Sequence, residues 1–189
     1  MNKNSLSLHN HDGQRKYLNQ RERLQFLAVA KTQTTETRLF CLLLYYTGAR
    51  IAEIHKLHAN SIDLSNGTVI IESLKKRQSG IYREIPLPQF LLQDLDMYSR
   101  KRQALTGACL WPFSLRTASR QIKRVMEVAE INGVRGCAKG LRHGFAVHAV
   151  TIAPLTLVKK WLGHSTLETT EIYLNIVGAE EREIASRIW

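Results

Sequence analysis

The segment Leu39-Phe40-Cys41-Leu42-Leu43-Leu44-Tyr45-Tyr46 constrains this chain more than any other. A helix over Thr35–Tyr46 carries its apolar residues on more than one face, so other elements must surround it. That demands a helical core, and the run is far too short to cross a bilayer. Thr47-Gly48 breaks the helix, and another starts near Arg50 with Ile51, Ile54 and Leu57 on its apolar side. Upstream, Asn19 and Glu22 form a predicted capping box for a helix carrying Leu24, Phe26, Leu27, Val29 and Ala30.

The middle of the chain changes period. Asp63 to Gly67 reads as a turn, with Asn66-Gly67 its strongest signal. Thr68–Leu74 and Ile81–Leu87 read as the strands of a hairpin whose tip, Lys75-Lys76-Arg77-Gln78-Ser79-Gly80, is very basic. Helices return after Pro88, over Leu115–Ile131, over Gly140–Val150, and over Pro154–Leu162 with Gly163 as the C-terminal cap. Trp111 anchors the loop between the first two. Ser165 and Glu168 predict a second capping box, opening a helix that carries Tyr173. A last amphipathic helix is expected over 180–188. The fold class is mainly α with a small antiparallel β-sheet, in one domain over 18–189. Residues 1–17, polar and without periodicity, read as a flexible or loosely docked arm, with no separate N-terminal domain before the core.

Charge narrows the partners. Lys and Arg number 27 against 16 Asp and Glu, a formal +11 over 189 residues, which attracts a polyanion. The 3 cysteines lack metal-ligand spacing and fit a reducing, cytoplasmic setting. No signal-peptide-like or membrane-spanning run is evident. A phosphate-binding loop ending in Lys-Ser/Thr is missing, as are HExxH and clustered acidic residues, so no metal or other cofactor is expected. Phosphate chemistry here must rely on fixed positive side chains. Arg50 at a helix start, Arg142 just inside a helix and His164 at a helix break all emerge from packed segments. Arginine pairs can clamp nonbridging phosphate oxygens and stabilise a pentacoordinate transition state. Tyr173 follows His164 closely enough for both to border one pocket, and a phenol needs positive neighbours or a base to become a nucleophile.

These segments resemble those of the tyrosine recombinases, the phage-integrase family. Thr47-Gly48-Ala49-Arg50-Ile51-Ala52-Glu53-Ile54 resembles the block of the first catalytic arginine, and Leu141-Arg142-His143-Gly144-Phe145-Ala146 that of the second. Leu162-Gly163-His164-Ser165 through Tyr173 resembles the block ending in the nucleophile. The basic hairpin closing with Arg83-Glu84-Ile85-Pro86-Leu87 resembles the one bearing the family's catalytic lysine.

The resemblance implies the catalytic-domain fold of that family and site-specific cleavage and rejoining of double-stranded DNA, without metal or ATP. Arg50 and Arg142 would bind the scissile phosphate, and Tyr173 would attack it to leave a 3′-phosphotyrosyl bond. Lys75 would be the general acid, with Lys76 the alternative because the hairpin register is open. His164 would donate to the phosphate, and Glu53 would orient the pocket from a buried position without touching DNA. Lys76, Arg77 and Arg83 are the candidate DNA contacts of the hairpin. A homo-tetramer on paired DNA sites is implied, joined through the final helix and monomeric without DNA, with accessory DNA-binding proteins and nucleoid association.

This chain departs from the family pattern at Lys139, which stands where a histidine usually precedes the second arginine by one helical turn. A lysine there can still contact the phosphate or help handle a proton. His143 is expected to point about a third of a turn away from Arg142, outside that role. The competing expectation is a noncatalytic, architectural DNA-binding protein with a degenerate site.

Overall fold

The computed structural model describes residues 7–74, 80–106, 110–174, 185–186 and 188. Helix α1 (Gln20–Lys31) opens with the expected box: the Asn19 side chain accepts from Glu22 N, and Glu22 Oε2 accepts from Asn19 N, each at 2.9 Å. Helix α2 (Thr35–Thr47) is the central element, with every residue from Leu39 to Tyr45 buried. It ends at Gly48, whose φ of 60° is left-handed. A Cβ there would collide with the Phe145 ring, so glycine answers both backbone and packing at this point. The chain turns directly into the short α3 (Ile51–His55). This sharp turn puts Arg50 at the mouth of the core.

The sheet has three antiparallel strands in the order β1 (Ile62–Asp63), β2 (Thr68–Glu72), β3 (Tyr82–Pro86). The hairpin was legible; β1 was not, because two residues running into a turn leave no periodic signal. The Asp63 carboxylate accepts from Asn66 N and Nδ2 at 3.0 and 2.8 Å, which locks the turn and pairs Ile62 with Val69. In β3 burial alternates strictly, so Arg83 and Ile85 face inward while Tyr82, Glu84 and Pro86 face out.

Helices α4 (Gln89–Thr106) and α5 (Leu115–Val128) flank α2 and α3. Between them Trp111 is buried and donates from Nε1 to the Ile54 carbonyl at 2.7 Å, the anchor its position suggested. Helix α5 stops short of Ile131, because the chain reverses through Glu130 at a φ of 59°. Helices α6 (Ala138–Ala149), α7 (Leu155–Leu162) and α8 (Glu168–Glu171) complete the domain.

Two expectations fail in the last part of the chain. The Ser165–Glu168 capping box does not form: α8 has no side-chain cap at its start, and Glu168 hydrogen-bonds to Thr166 instead. Helix α8 is only 4 residues long, and Tyr173 sits beyond it on a 3₁₀ turn, Ile172–Leu174. At the other end, residues 7–17 of the arm are docked. Asn10 Oδ1 accepts from Gln14 N and Asp12 N, and the resulting loop drives Leu8 and Tyr17 into the interior.

The apolar residues form two clusters. The larger one gathers around α2 and reaches the sheet, α4 and α5. The smaller one joins Leu8 and Tyr17 to Phe145, Val147, Val158, Leu162 and Tyr173. Among the described residues no helix is long and apolar enough to cross a membrane. Lys75, Lys76 and Arg77, and residues 180–184 and 187 of the helix expected over 180–188, lie outside the described residues.

Candidate active site

The junction between the two clusters is polar. A cavity of about 470 Å³ opens there, lined by Arg50, Ile51, Lys139, Arg142, His143, His164 and Tyr173 among others. Three separate stretches of sequence therefore meet at one place: the α2–α3 turn, the first half of α6, and the segment following α7.

Arg50 is held by Glu53. Its Nη1 donates to Glu53 Oε1 at 2.8 Å, and its backbone N–H donates to Oε2 at 2.8 Å. Glu53 is buried, and Oε2 also accepts from Arg83 Nη2 at 2.6 Å. Burial pushes the Glu53 carboxyl up, but the Arg83 guanidinium and then the Arg50 bonds outweigh it and hold it below the usual range. The Glu53 carboxylate thus fixes two arginines at once. Arg50 also lines the cavity; Arg83 does not.

Arg83, a candidate DNA contact of the hairpin, is buried: Nε donates to the Trp161 carbonyl at 2.8 Å, Nη1 to Ser73 Oγ at 3.0 Å, and Nη2 to Glu53. The reason is register. Arg83 alternates with Ile85 on the inward face of β3, and that alternation was visible in the sequence but was overridden by its charge.

Arg142 enters from α6 and donates from Nη1 to the Gly48 carbonyl and from Nη2 to the Leu162 carbonyl, both at 2.8 Å. One guanidinium therefore ties together the ends of α2 and α7. Burial and the neighbouring Arg50 bring it down to about 10, which leaves it fully charged at neutral pH.

His164 sits just past the left-handed Gly163 that ends α7. Its Nε2 lies 3.1 Å from Arg142 Nη2 and its Nδ1 lies 2.9 Å from Thr170 Oγ1. A guanidinium can only donate, so Nε2 accepts and Nδ1 carries the hydrogen given to Thr170. Burial, then Arg142 and Arg50, push the imidazole down to about 3. In this state His164 presents no N–H to an anion; donating to a phosphate requires protonation or exchange of the Arg142 bond.

Tyr173 is buried, with 1% of its surface exposed. Its ring stacks on His164 at 6.3 Å, and its hydroxyl lies 2.7 Å from His143 Nδ1. Burial pushes the phenol up to about 12, while Arg142 and Arg50 pull in the opposite direction. His143 is the residue that sequence reasoning set aside. A step of a third of a turn along α6 separates it from Arg142, but the Ile172–Leu174 turn folds over both and reunites them in one cavity. Nothing in the local pattern of α6 could reveal that. Thr170, one turn ahead of Tyr173, stood in the block that ends in the tyrosine but was assigned no role; it is fully buried beside His164.

Fold and site together define a mainly helical domain whose cavity gathers Arg50, Arg142, His143, His164 and Tyr173. The chain belongs to the phage integrase family, the tyrosine recombinases, as a catalytic domain: the family model matches residues 16–179. It is 28% identical over 179 residues to Tyrosine recombinase XerA of Pyrococcus furiosus, an alignment covering 91% of this chain and 61% of that protein. It superposes on the crystal structure of XerA recombinase with a TM-score of 0.77 at 23% identity, covering 91% of this chain and 64% of that one. A XerH site-specific recombinase bound to difH substrate, in a pre-cleavage complex, gives a TM-score of 0.73 at 22% identity, covering 96% and 59%. The chain spans about three-fifths of the length of these relatives.

Proposed function

We propose that this domain cleaves and rejoins double-stranded DNA at specific sites through a 3′-phosphotyrosyl intermediate. The observation that carries this reading is the single cavity shared by Arg50, Arg142 and Tyr173. A phosphodiester seated there receives two guanidinium groups, which neutralise the charge that builds on its nonbridging oxygens as a fifth ligand approaches. Tyr173 supplies that ligand. The phosphotyrosyl bond conserves the energy of the bond it replaces, so rejoining needs neither ATP nor a metal cofactor. Glu53 is a positioning residue, and Lys139, on the cavity wall, is placed to contact the phosphate. Lys75 is assigned as general acid to the leaving 5′ oxygen, with Lys76 the alternative.

Arrival of the phosphate also changes His164. Burial first, and then repulsion from Arg142 and Arg50, keep the imidazole neutral; negative charge near Arg142 offsets the second of these, and a protonated His164 can donate to the anion. Assembly as a homo-tetramer on paired sites, starting from a monomer and helped by accessory DNA-binding proteins, is the setting proposed for strand exchange.

A nicked suicide duplex traps the intermediate. The expected result is a covalent protein–DNA adduct from the wild type and none from Tyr173→Phe, with duplex binding retained in both. Tight binding with no adduct from the wild type would mark a DNA-binding protein with a degenerate site instead.

A further inference from the structure

We propose that His143 is the proton acceptor for Tyr173, an assignment that rests on the strand-transfer reading above. The observation is a direct contact: His143 Nδ1 and the Tyr173 hydroxyl are 2.7 Å apart, with ring centroids at 5.7 Å. That is within the reach a base needs to take a proton from a nucleophile. With Nε2 carrying the ring hydrogen, Nδ1 offers its lone pair to the phenol.

The other basic groups at the cavity are committed or unsuited. His164 uses Nε2 to accept from Arg142 and Nδ1 to donate to Thr170. Lys139 stands at the position where the family pattern carries histidine, so the imidazole usual there is missing. The imidazole one residue beyond Arg142 therefore meets a need that the substitution at Lys139 leaves open.

The surroundings make this base conditional. Lys139 and Arg142 on its own helix face His143, as do Lys16 from the docked arm and Tyr173 and His164 from the segment packed over it. Burial first, then Lys139, Arg142 and Lys16, hold the imidazole down to about 4, so it is neutral and weakly basic without DNA. A scissile phosphate between Arg50 and Arg142 offsets part of that positive field and raises the basicity of the ring. The phenol is thus left protonated until an anion occupies the clamp.

The step balances without a redox partner. The Tyr173 Oη–P bond forms and the P–O5′ bond breaks. The phenolic proton passes to His143 Nδ1, while the departing 5′ oxygen takes a proton from the general acid, the role proposed for Lys75. Rejoining reverses each transfer: the 5′-hydroxyl attacks, its proton returns to the lysine, and the imidazolium returns its proton to the departing phenolate.

The test uses His143→Asn, whose amide oxygen accepts a hydrogen bond near the Nδ1 position but takes up no proton. Single-turnover adduct formation on the nicked duplex is measured across pH, with duplex affinity and melting temperature in parallel. The expected result is a loss of about 100-fold near neutral pH. The loss should narrow as pH rises and hydroxide replaces the base, with affinity unchanged. A 5′-bridging sulfur, whose departure needs no protonation, should rescue Lys75→Ala but not His143→Asn. A rate within about threefold of wild type, a deficit constant across pH, or rescue by the sulfur leaving group would each overturn the proposal. Should His143→Asn fold poorly, His143→Ala with added imidazole decides: restored adduct supports the assignment and no restoration refutes it. Absence of any adduct from the wild type would sink the strand-transfer reading itself, which separates the two failures.

Discussion

On the arginine side of the cavity, each charged group has redundant partners. Glu53 binds Arg50 and Arg83, Arg83 adds Ser73 and the Trp161 carbonyl, and Arg142 bridges the carbonyls of Gly48 and Leu162. On the tyrosine side, Tyr173 rides on a 3₁₀ turn after a single turn of helix, and its hydroxyl meets one imidazole. The first arrangement resists displacement because moving any member strands a buried charge. The second has little regular structure to unmake. A cluster that must already be aligned when charge develops gains from rigidity, and the tyrosine side shows no comparable network of partners.

Four experiments bear on this contrast. The largest effect is expected from Glu53→Ala, which leaves Arg83 buried without its counterion. Equilibrium urea unfolding should show a loss of about 3–5 kcal/mol. A loss below about 1 kcal/mol would mean that the arginine side is no more rigid than the tyrosine side. Next comes Arg50→Ala, which should slow adduct formation by about 100-fold or more while duplex affinity changes far less. Equal losses in rate and affinity would reduce Arg50 to an anchoring contact.

Acid should act through the tyrosine side. His143 and His164 are held at about 4 and about 3, below the ordinary 6.5. The unfolded chain therefore binds more protons across that window, and stability present above pH 6.5 falls as pH drops toward 4. After solvent screening the loss is roughly 2 kcal/mol per histidine. Unfolding curves at pH 7 and 4.5 measure it, and His143→Asn should flatten the dependence. An unchanged stability over this range would contradict the electrostatic account of both rings. The smallest effect is expected from Thr170→Val, about 1 kcal/mol, through loss of the acceptor for His164. Nitrogen chemical shifts of His164 should then show a changed tautomer balance.

Much of the architecture was legible. Asn19 and Glu22 announced α1, the all-round apolar α2 announced a helical core, and Gly48 and Gly163 marked the breaks beside which Arg50 and His164 stand. Misreadings came where local rules compete with tertiary ones. Arg83 was named as a candidate DNA contact of the hairpin, whereas its alternation with Ile85 turns it inward, where the Glu53 carboxylate makes burial tolerable. The Ser165–Glu168 spacing satisfied a capping pattern, but Glu168 pairs with Thr166 and the helix lasts one turn. His143 was set aside on the geometry of a single helix, while its contact with Tyr173 depends on a segment that arrives from elsewhere in the chain.

The order of residues alone determined which side chains were available: two arginines beside helix breaks, a histidine after Gly163, a tyrosine shortly beyond it, and lysine at position 139. Helix periodicity and capping are local, so they can be read without knowing the fold. Only the tertiary structure decided that Arg83 serves the interior, that Leu8 and Tyr17 dock beside α6, and that the phenol rests on His143. Each of these is a contact between segments distant in the chain, and no period within one segment encodes its partner in another.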